Sequence, residues 1–149
     1  LLKARWAMRQ TGLPAVADDS GLEVAALHGR PGIFSARYAG EWADDAQNRR
    51  KLLEELSGVS WQERKARFVC AIALTMPEAE DWTTVGYCEG FILSEERGQH
   101  GFGYDPLFYF PALQKTFAEM SEAEKNQVSH RGVAMRRLIH HLQATFGRV

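Results

Sequence analysis

The 149-residue chain has only two cysteines, and no Cys-x-x-Cys pair. Cys70 and Cys88 both lie inside apolar runs. That argues against a disulfide framework and reads as buried thiols in a reducing cytosol, so the expected compartment is cytoplasmic. No apolar run approaches the roughly 20 residues that span a bilayer, and no segment has the form of a signal peptide. An excess of one charge is lacking too: 18 basic and 19 acidic side chains leave a net charge of −1. No global field attracts nucleic acid or membrane, so any site for a polyanion is local. There are no repeats, low-complexity tracts or linkers. The chain also lacks an initiator Met and opens inside a helical pattern, LLKARWAMRQTGLP, with nothing to cap its start. The expectation is a single domain over residues 1–149 that is missing its N-terminal part.

Hydrophobic residues make up 45% and charged residues 25%, which suits a soluble globular domain with a sizeable core. Gly12 and Pro14 end the first helix. Val16 and Ala17 then lead into Asp18-Asp19-Ser20-Gly21 and a second apolar run, which reads as strand, acidic turn, strand. A glycine-rich loop, GRPGIFSARYAG, follows. In DDAQNRRKLLEELSG, Asp44 or Asp45 caps a helix, Leu52, Leu53 and Leu56 face inward, and Gly58 ends it. ARFVCAIALTM and TTVGYCEGFIL are two long strands, with PEAEDW as their hairpin. The first is apolar on both faces and is expected at the centre of the sheet. Ser121 and Glu124 form a capping box. Met135, Leu138, Ile139, Leu142 and Phe146 predict an amphipathic helix against the core. The order of elements is α/β or α+β around a mixed sheet.

Four stretches could carry chemistry. ADDSG offers adjacent carboxylates, which suit Mg²⁺ or the activation of a water; a plain Asx turn is the alternative. In GRPGIFSARYAG, Arg37 could meet a phosphate or pair with a local carboxylate. HGFGYDPLFYF, residues 100–110, sets Phe102 between two glycines. There the backbone could approach a flat ligand stacked on the ring, or simply turn into a strand. EKNQVSHRG gathers Lys125, Ser129, His130 and Arg131 at a junction between helices, where an anion would be favoured. His140 and His141 have no metal-ligand partners at suitable spacing.

Taken together, ADDSGLEV, GRPGIFSARYAG, GFGYDPLF, KTFAEMSEAEKN and SHRG resemble, in order, the motifs of the inosine/xanthosine triphosphate pyrophosphatases. The resemblance runs from Leu1 to about Leu142. It implies an α/β fold: a long mixed β-sheet with flanking helices, in two lobes around a nucleotide cleft. It implies hydrolysis of non-standard purine nucleoside triphosphates (dITP, ITP, XTP) to the monophosphate and pyrophosphate. Mg²⁺, with Mn²⁺ as an alternative, is the implied cofactor and a homodimer the implied assembly. Asp19 matches the catalytic acid and a metal ligand, with Asp18 supporting the metal. Lys3, Ser20, Phe102, Gly103, Tyr104, Asp105, Lys125, His130 and Arg131 match substrate-binding positions. Among them Phe102 lies under the base, His130 and Arg131 near its edge, and Lys3 faces the phosphates. The acidic pair and the His-Arg pair are thus expected at opposite ends of one cleft. The family begins with a strand and a Thr-Gly-Asn-x-x-Lys phosphate loop that this sequence does not contain. Two rival readings follow: a nucleotide-binding module with little or no turnover, and a triphosphatase that cuts the terminal phosphate.

Overall fold

The computed structural model of the chain describes residues 1–147. Helix α1, Leu2–Thr11, ends on Gly12 in a left-handed conformation, as its sequence requires. Strand β1, Ala15–Val24, follows directly. A two-residue strand β2, Pro31–Gly32, leads by a loop to helix α2, Asp45–Glu55. The long strands β3, Lys65–Thr75, and β4, Trp82–Ile92, form the predicted hairpin. Short strands β5, Phe108–Phe110, and β6, Lys115–Thr116, precede helices α3, Glu122–Val128, and α4, His130–Phe146. Asp44, rather than Asp45, caps α2, in a reciprocal box with Gln47; Ser121 and Glu124 cap α3 in the same way.

The six strands lie in the order β2-β1-β3-β4-β5-β6. The apolar β3 is central, flanked by β1 and β4 along most of its length. Every pairing among the described residues is antiparallel, where a mixed sheet was expected. The reason is local: β3 and β4 are joined by a short turn, and a parallel pair needs a crossover of a dozen residues or more.

The predicted acidic turn is absent. Asp18, Asp19, Ser20 and Gly21 lie mid-strand, opposite Ile72, Ala71, Cys70 and Val69. Pairing with β3 holds this stretch extended and bonds alternate residues on that side, while the Asp18 carbonyl accepts from Lys3, so the chain does not turn here.

Side chains directly opposite one another share a face of the sheet. Leu22, Phe68 and Cys88 form one such row and pack with Leu52 and Leu56 of α2 and with Phe108 and Phe117. Further along the same face, Cys70, Ile72 and Leu74 pack against Ala134 and Leu138 of α4. Two apolar bodies thus stand side by side on one sheet face. Helix α1 covers part of the other face, where Thr75 Oγ1 donates to the Ala4 carbonyl at 3.0 Å.

The buried face of α4 differs from the predicted one. His130, Ala134 and Leu138 are buried, while Met135, Ile139 and Phe146 are exposed. Gly86 explains this. A Cβ there would overlap the His130 carbonyl and lie 2.7 Å from the Ala134 nitrogen, so the helix backbone rests on the strand and turns its small residue inward. Among the described residues no helix is long and apolar enough to cross a membrane.

Candidate functional site

A cavity of about 640 Å³ opens beside the larger apolar body, at Leu22, Phe68 and Tyr104. Its floor is β1 and β3, through Asp18–Leu22 and Phe68. One wall is the α3–α4 junction, with Lys125, Ser129, His130 and Arg131. The other is the loop Phe102–Asp105, with Ser35, Ala36 and Asp45 behind it. The sequence motifs, far apart in the chain, therefore meet at one hollow. Lys3 does not line it. Its Nζ donates to the Asp18 carbonyl at 2.8 Å, beside the acidic end.

Successive strand side chains point to opposite faces. Asp18 and Ser20 share the face of Leu22 and α4, while Asp19 turns toward the face that carries α1. Because β2 pairs with β1 only at Leu22 and Glu23, the Asp18–Ser20 stretch is the margin of the sheet, and Asp19 still borders the cavity. The two carboxylates are therefore not a matched pair on one side. Asp18 Oδ2 lies 3.6 Å from Arg131 Nη2. This corrects the expected layout: Arg131 sits at the acidic end, and only His130 reaches toward the aromatic end. The cause is the first turn of α4, which places consecutive residues about 100° apart around the helix.

Phe102 is 70% exposed and presents its ring to the hollow. Its loop is built by hydrogen bonds. Asp105 Oδ2 accepts from the Phe102 N–H at 3.1 Å and from Lys125 Nζ at 2.5 Å. Gly101 has φ +76°, and a Cβ there would come within 3.0 Å of Asp105 Cγ, so glycine is needed for this turn. Lys125 Nζ also lies 4.8 Å from the Phe102 ring centroid, in cation–π position. Tyr104 is buried and its hydroxyl donates to the Ser35 carbonyl at 2.6 Å. The Tyr104 hydroxyl and Asp105 Oδ2 are thus engaged within the protein, where they build the wall of the hollow. Burial raises the Asp105 carboxyl above its ordinary value, against the lowering by Lys125.

His130 is buried and stacks on Phe68, with ring centroids 4.7 Å apart. Burial first, then the nearby Lys125 and Arg131 cations, push its pKa down to about 4. The ring is neutral at physiological pH, and its Nδ1 is buried without a hydrogen-bond partner among the described residues. Cys70 lies beneath the site, and burial pushes its thiol up. Arg37, whose partner the sequence left open, lies over the Phe34 ring at 5.1 Å. Sequence reasoning missed Asp45, which lies on the cavity wall, and Arg49 behind it; the only signal was their i, i+4 spacing on a helix.

No group of three or more His, Cys, Asp or Glu side chains converges among the described residues. That disfavours a closed, all-protein metal cage.

The model of the Ham1 family matches residues 1–141. The dITP/XTP pyrophosphatase of Desulfotalea psychrophila is 59% identical over 124 residues, 83% of this chain and 55% of that protein. The dITP/XTP pyrophosphatase of Haemophilus ducreyi is 56% identical over 137 residues, 91% of this chain and 70% of that protein. The chain therefore spans little more than half of the first relative's length. Among solved structures, the Staphylococcus aureus Ham1 protein superposes with a TM-score of 0.92 at 44% identity, over 97% of this chain and 74% of that one. The Mycobacterium abscessus nucleoside-triphosphatase / dITP/XTP pyrophosphatase gives 0.79 at 47%, over 93% and 70%. Sequence, fold and the meeting of the motifs at one hollow agree, and the chain belongs to the Ham1 family.

Proposed function

We propose that the cavity binds a non-standard purine nucleoside triphosphate and supports its hydrolysis to the monophosphate and pyrophosphate. One observation carries this reading: a single hollow of about 640 Å³ receives both the acidic margin of β1 and the exposed Phe102 ring. That volume lies within the range of small-ligand sites, roughly 300–1,000 Å³. The names of the similar proteins point to the same substrates.

The base stacks on the open face of Phe102, an interaction of about 1–3 kcal/mol that any base can make. Discrimination then falls to the edge of the ring. A 6-oxo purine presents an acceptor where adenine presents an amino donor, and N–H donors there reject the wrong pattern. His130, neutral in its buried setting, supplies one such N–H. Lys125, held by Asp105, places a positive charge between ring and phosphates. Lys3 anchors the Asp18 peptide and so fixes the strand margin under the phosphates. Asp18 engages Arg131, which leaves Asp19 as the carboxylate to orient the attacking water and accept its proton. Asp19 would hold Mg²⁺, or Mn²⁺ in its place; Asp18, on the other face of β1 and beside Arg131, would support the ion through its waters rather than as a second direct ligand. Such an ion would supply neutralisation of phosphate charge and polarisation of the scissile linkage. A homodimer follows from the family resemblance, and a cytoplasmic setting from the free, buried Cys70 and Cys88.

The test is product analysis with ITP, XTP, dITP and dATP in Mg²⁺. Pyrophosphate from the 6-oxo nucleotides, slow reaction of dATP and loss of turnover in Asp19→Asn with ITP binding retained are expected. Orthophosphate as the product, or a fully active Asp19→Asn protein, would overturn the reading.

A further inference from the structure

Phe102 is 70% exposed and belongs to neither apolar cluster, so packing does not fix its ring. Apart from the Lys125 ammonium 4.8 Å from its centroid, its position comes from the peptide groups around it. Two of those bonds are local: Asp105 Oδ2 accepts from the Phe102 N–H, and the Phe102 carbonyl accepts from the Asp105 N–H at 3.1 Å. They shape the turn but do not tie it to the rest of the molecule.

The turn is tied to the rest of the molecule at Asp105, by Lys125 Nζ, and at Tyr104, through the Ser35 carbonyl; a further tie, at Gly103 beside the ring, comes from α2. Asp45 Oδ2 accepts from the Gly103 N–H at 2.9 Å, and Arg49 Nη1 donates to the Gly103 carbonyl at 2.8 Å. One helix thus holds one glycine residue by both its backbone donor and its acceptor, across more than 50 residues of chain. The two side chains are one turn apart and face the same way. Arg49 is backed by Glu96, 2.8 Å from Nε, and its side chain is only 17% exposed. Between them Asn48 is buried, accepting from the Ala39 N–H and donating to the Ala36 carbonyl, so the same helix also braces the loop behind the cavity.

We infer that Asp45 and Arg49 are positioning residues that clamp Gly103 and thereby hold the Phe102 ring where a purine stacks on it. Neither needs to touch the nucleotide. The inference rests on the purine reading of the cavity. Without the clamp the loop keeps its internal turn and its ties at Tyr104 and Asp105, yet the Gly103 peptide next to the ring is unheld, the ring loses its fixed setting at the hollow, and ordering it again weakens binding.

Calorimetric binding of inosine monophosphate to the full chain tests this, because that probe carries the base and needs no turnover. Asp45→Ala and Arg49→Ala are each expected to weaken binding about 10-fold, the scale of losing a charge-assisted hydrogen bond. Asp45→Asn keeps an acceptor and is expected within about twofold of wild type. Phe102→Ala should weaken binding by about 10-fold or more. The deciding measurement is the double variant Asp45→Ala/Phe102→Ala. If the clamp acts through the ring, the double variant binds no worse than Phe102→Ala alone. Additive losses, unchanged binding in the single variants, or a loss that tracks a lowered melting temperature would overturn the clamp while leaving the purine site standing. No binding by the wild type would overturn the purine site and the clamp with it.

Discussion

Removing the Asp105 carboxylate should destabilise the protein, whereas removing only its charge should not. Asp105 is 4% exposed and holds two donors, the Phe102 N–H and Lys125 Nζ. Asp105→Ala strands both. Loss of a fully buried partner costs about 3–5 kcal/mol, but the Lys125 side chain, 21% exposed, can turn to water. The N–H remains as the main uncompensated group, so a cost of about 2–3 kcal/mol is expected. For a chain of this size that lowers the melting temperature by roughly 5–10 °C. Asp105→Asn keeps an acceptor for both donors. Because burial outweighs the Lys125 bond in setting the Asp105 pKa, ionisation of this group works against the fold. A folded-state pKa above the unfolded one gives a contribution that is complete at acid pH and lost as pH rises through the folded value. Asp105→Asn should therefore match the wild type below the ordinary carboxylate range and equal or exceed it at neutral pH. Urea unfolding from acid to neutral pH reads both variants. An Asp105→Asn protein as damaged as Asp105→Ala would show that the ion pair itself stabilises the loop, refuting the reasoning.

Gly86→Ala should cost about 2 kcal/mol or more by forcing α4 off the sheet, since the new Cβ meets backbone atoms of His130 and Ala134; an unchanged urea midpoint would contradict the close approach. His130 should stay neutral down to about pH 4, and its contribution to stability, complete above the ordinary histidine value of 6.5, should fall away as pH drops toward 4. An imidazole NMR titration with a midpoint near 6.5 for His130 would refute this.

Much of the frame was legible because its signals are local. Gly12 after α1, the Asp44 and Ser121 boxes and the β3–β4 hairpin each need only a few neighbouring residues. The centrality of β3 followed from its apolar character. What was misread depends on partners far along the chain. The Asp18–Gly21 stretch has turn composition, yet continuous pairing with β3 holds it extended and composition yields to it. Leu138 and Leu142 of α4 pack inward as expected, but Gly86, more than 40 residues earlier, brings Ala134 in and leaves Met135, Ile139 and Phe146 exposed. The site residues were legible as motifs. Their mutual arrangement was not, which is why Arg131 was assigned to the wrong end of the hollow, and why the hold of Asp45 and Arg49 on Gly103 went unseen.

Ser129 is both the last cap of α3 and the first cap of α4, its hydroxyl accepting from the Gly132 N–H while its own N–H bonds the Lys125 carbonyl. A single residue is thus the whole elbow between two helices. With no slack at that joint, the backbone positions of Lys125 and Arg131 are set relative to one another, and a shift of either helix would carry both attachment points together.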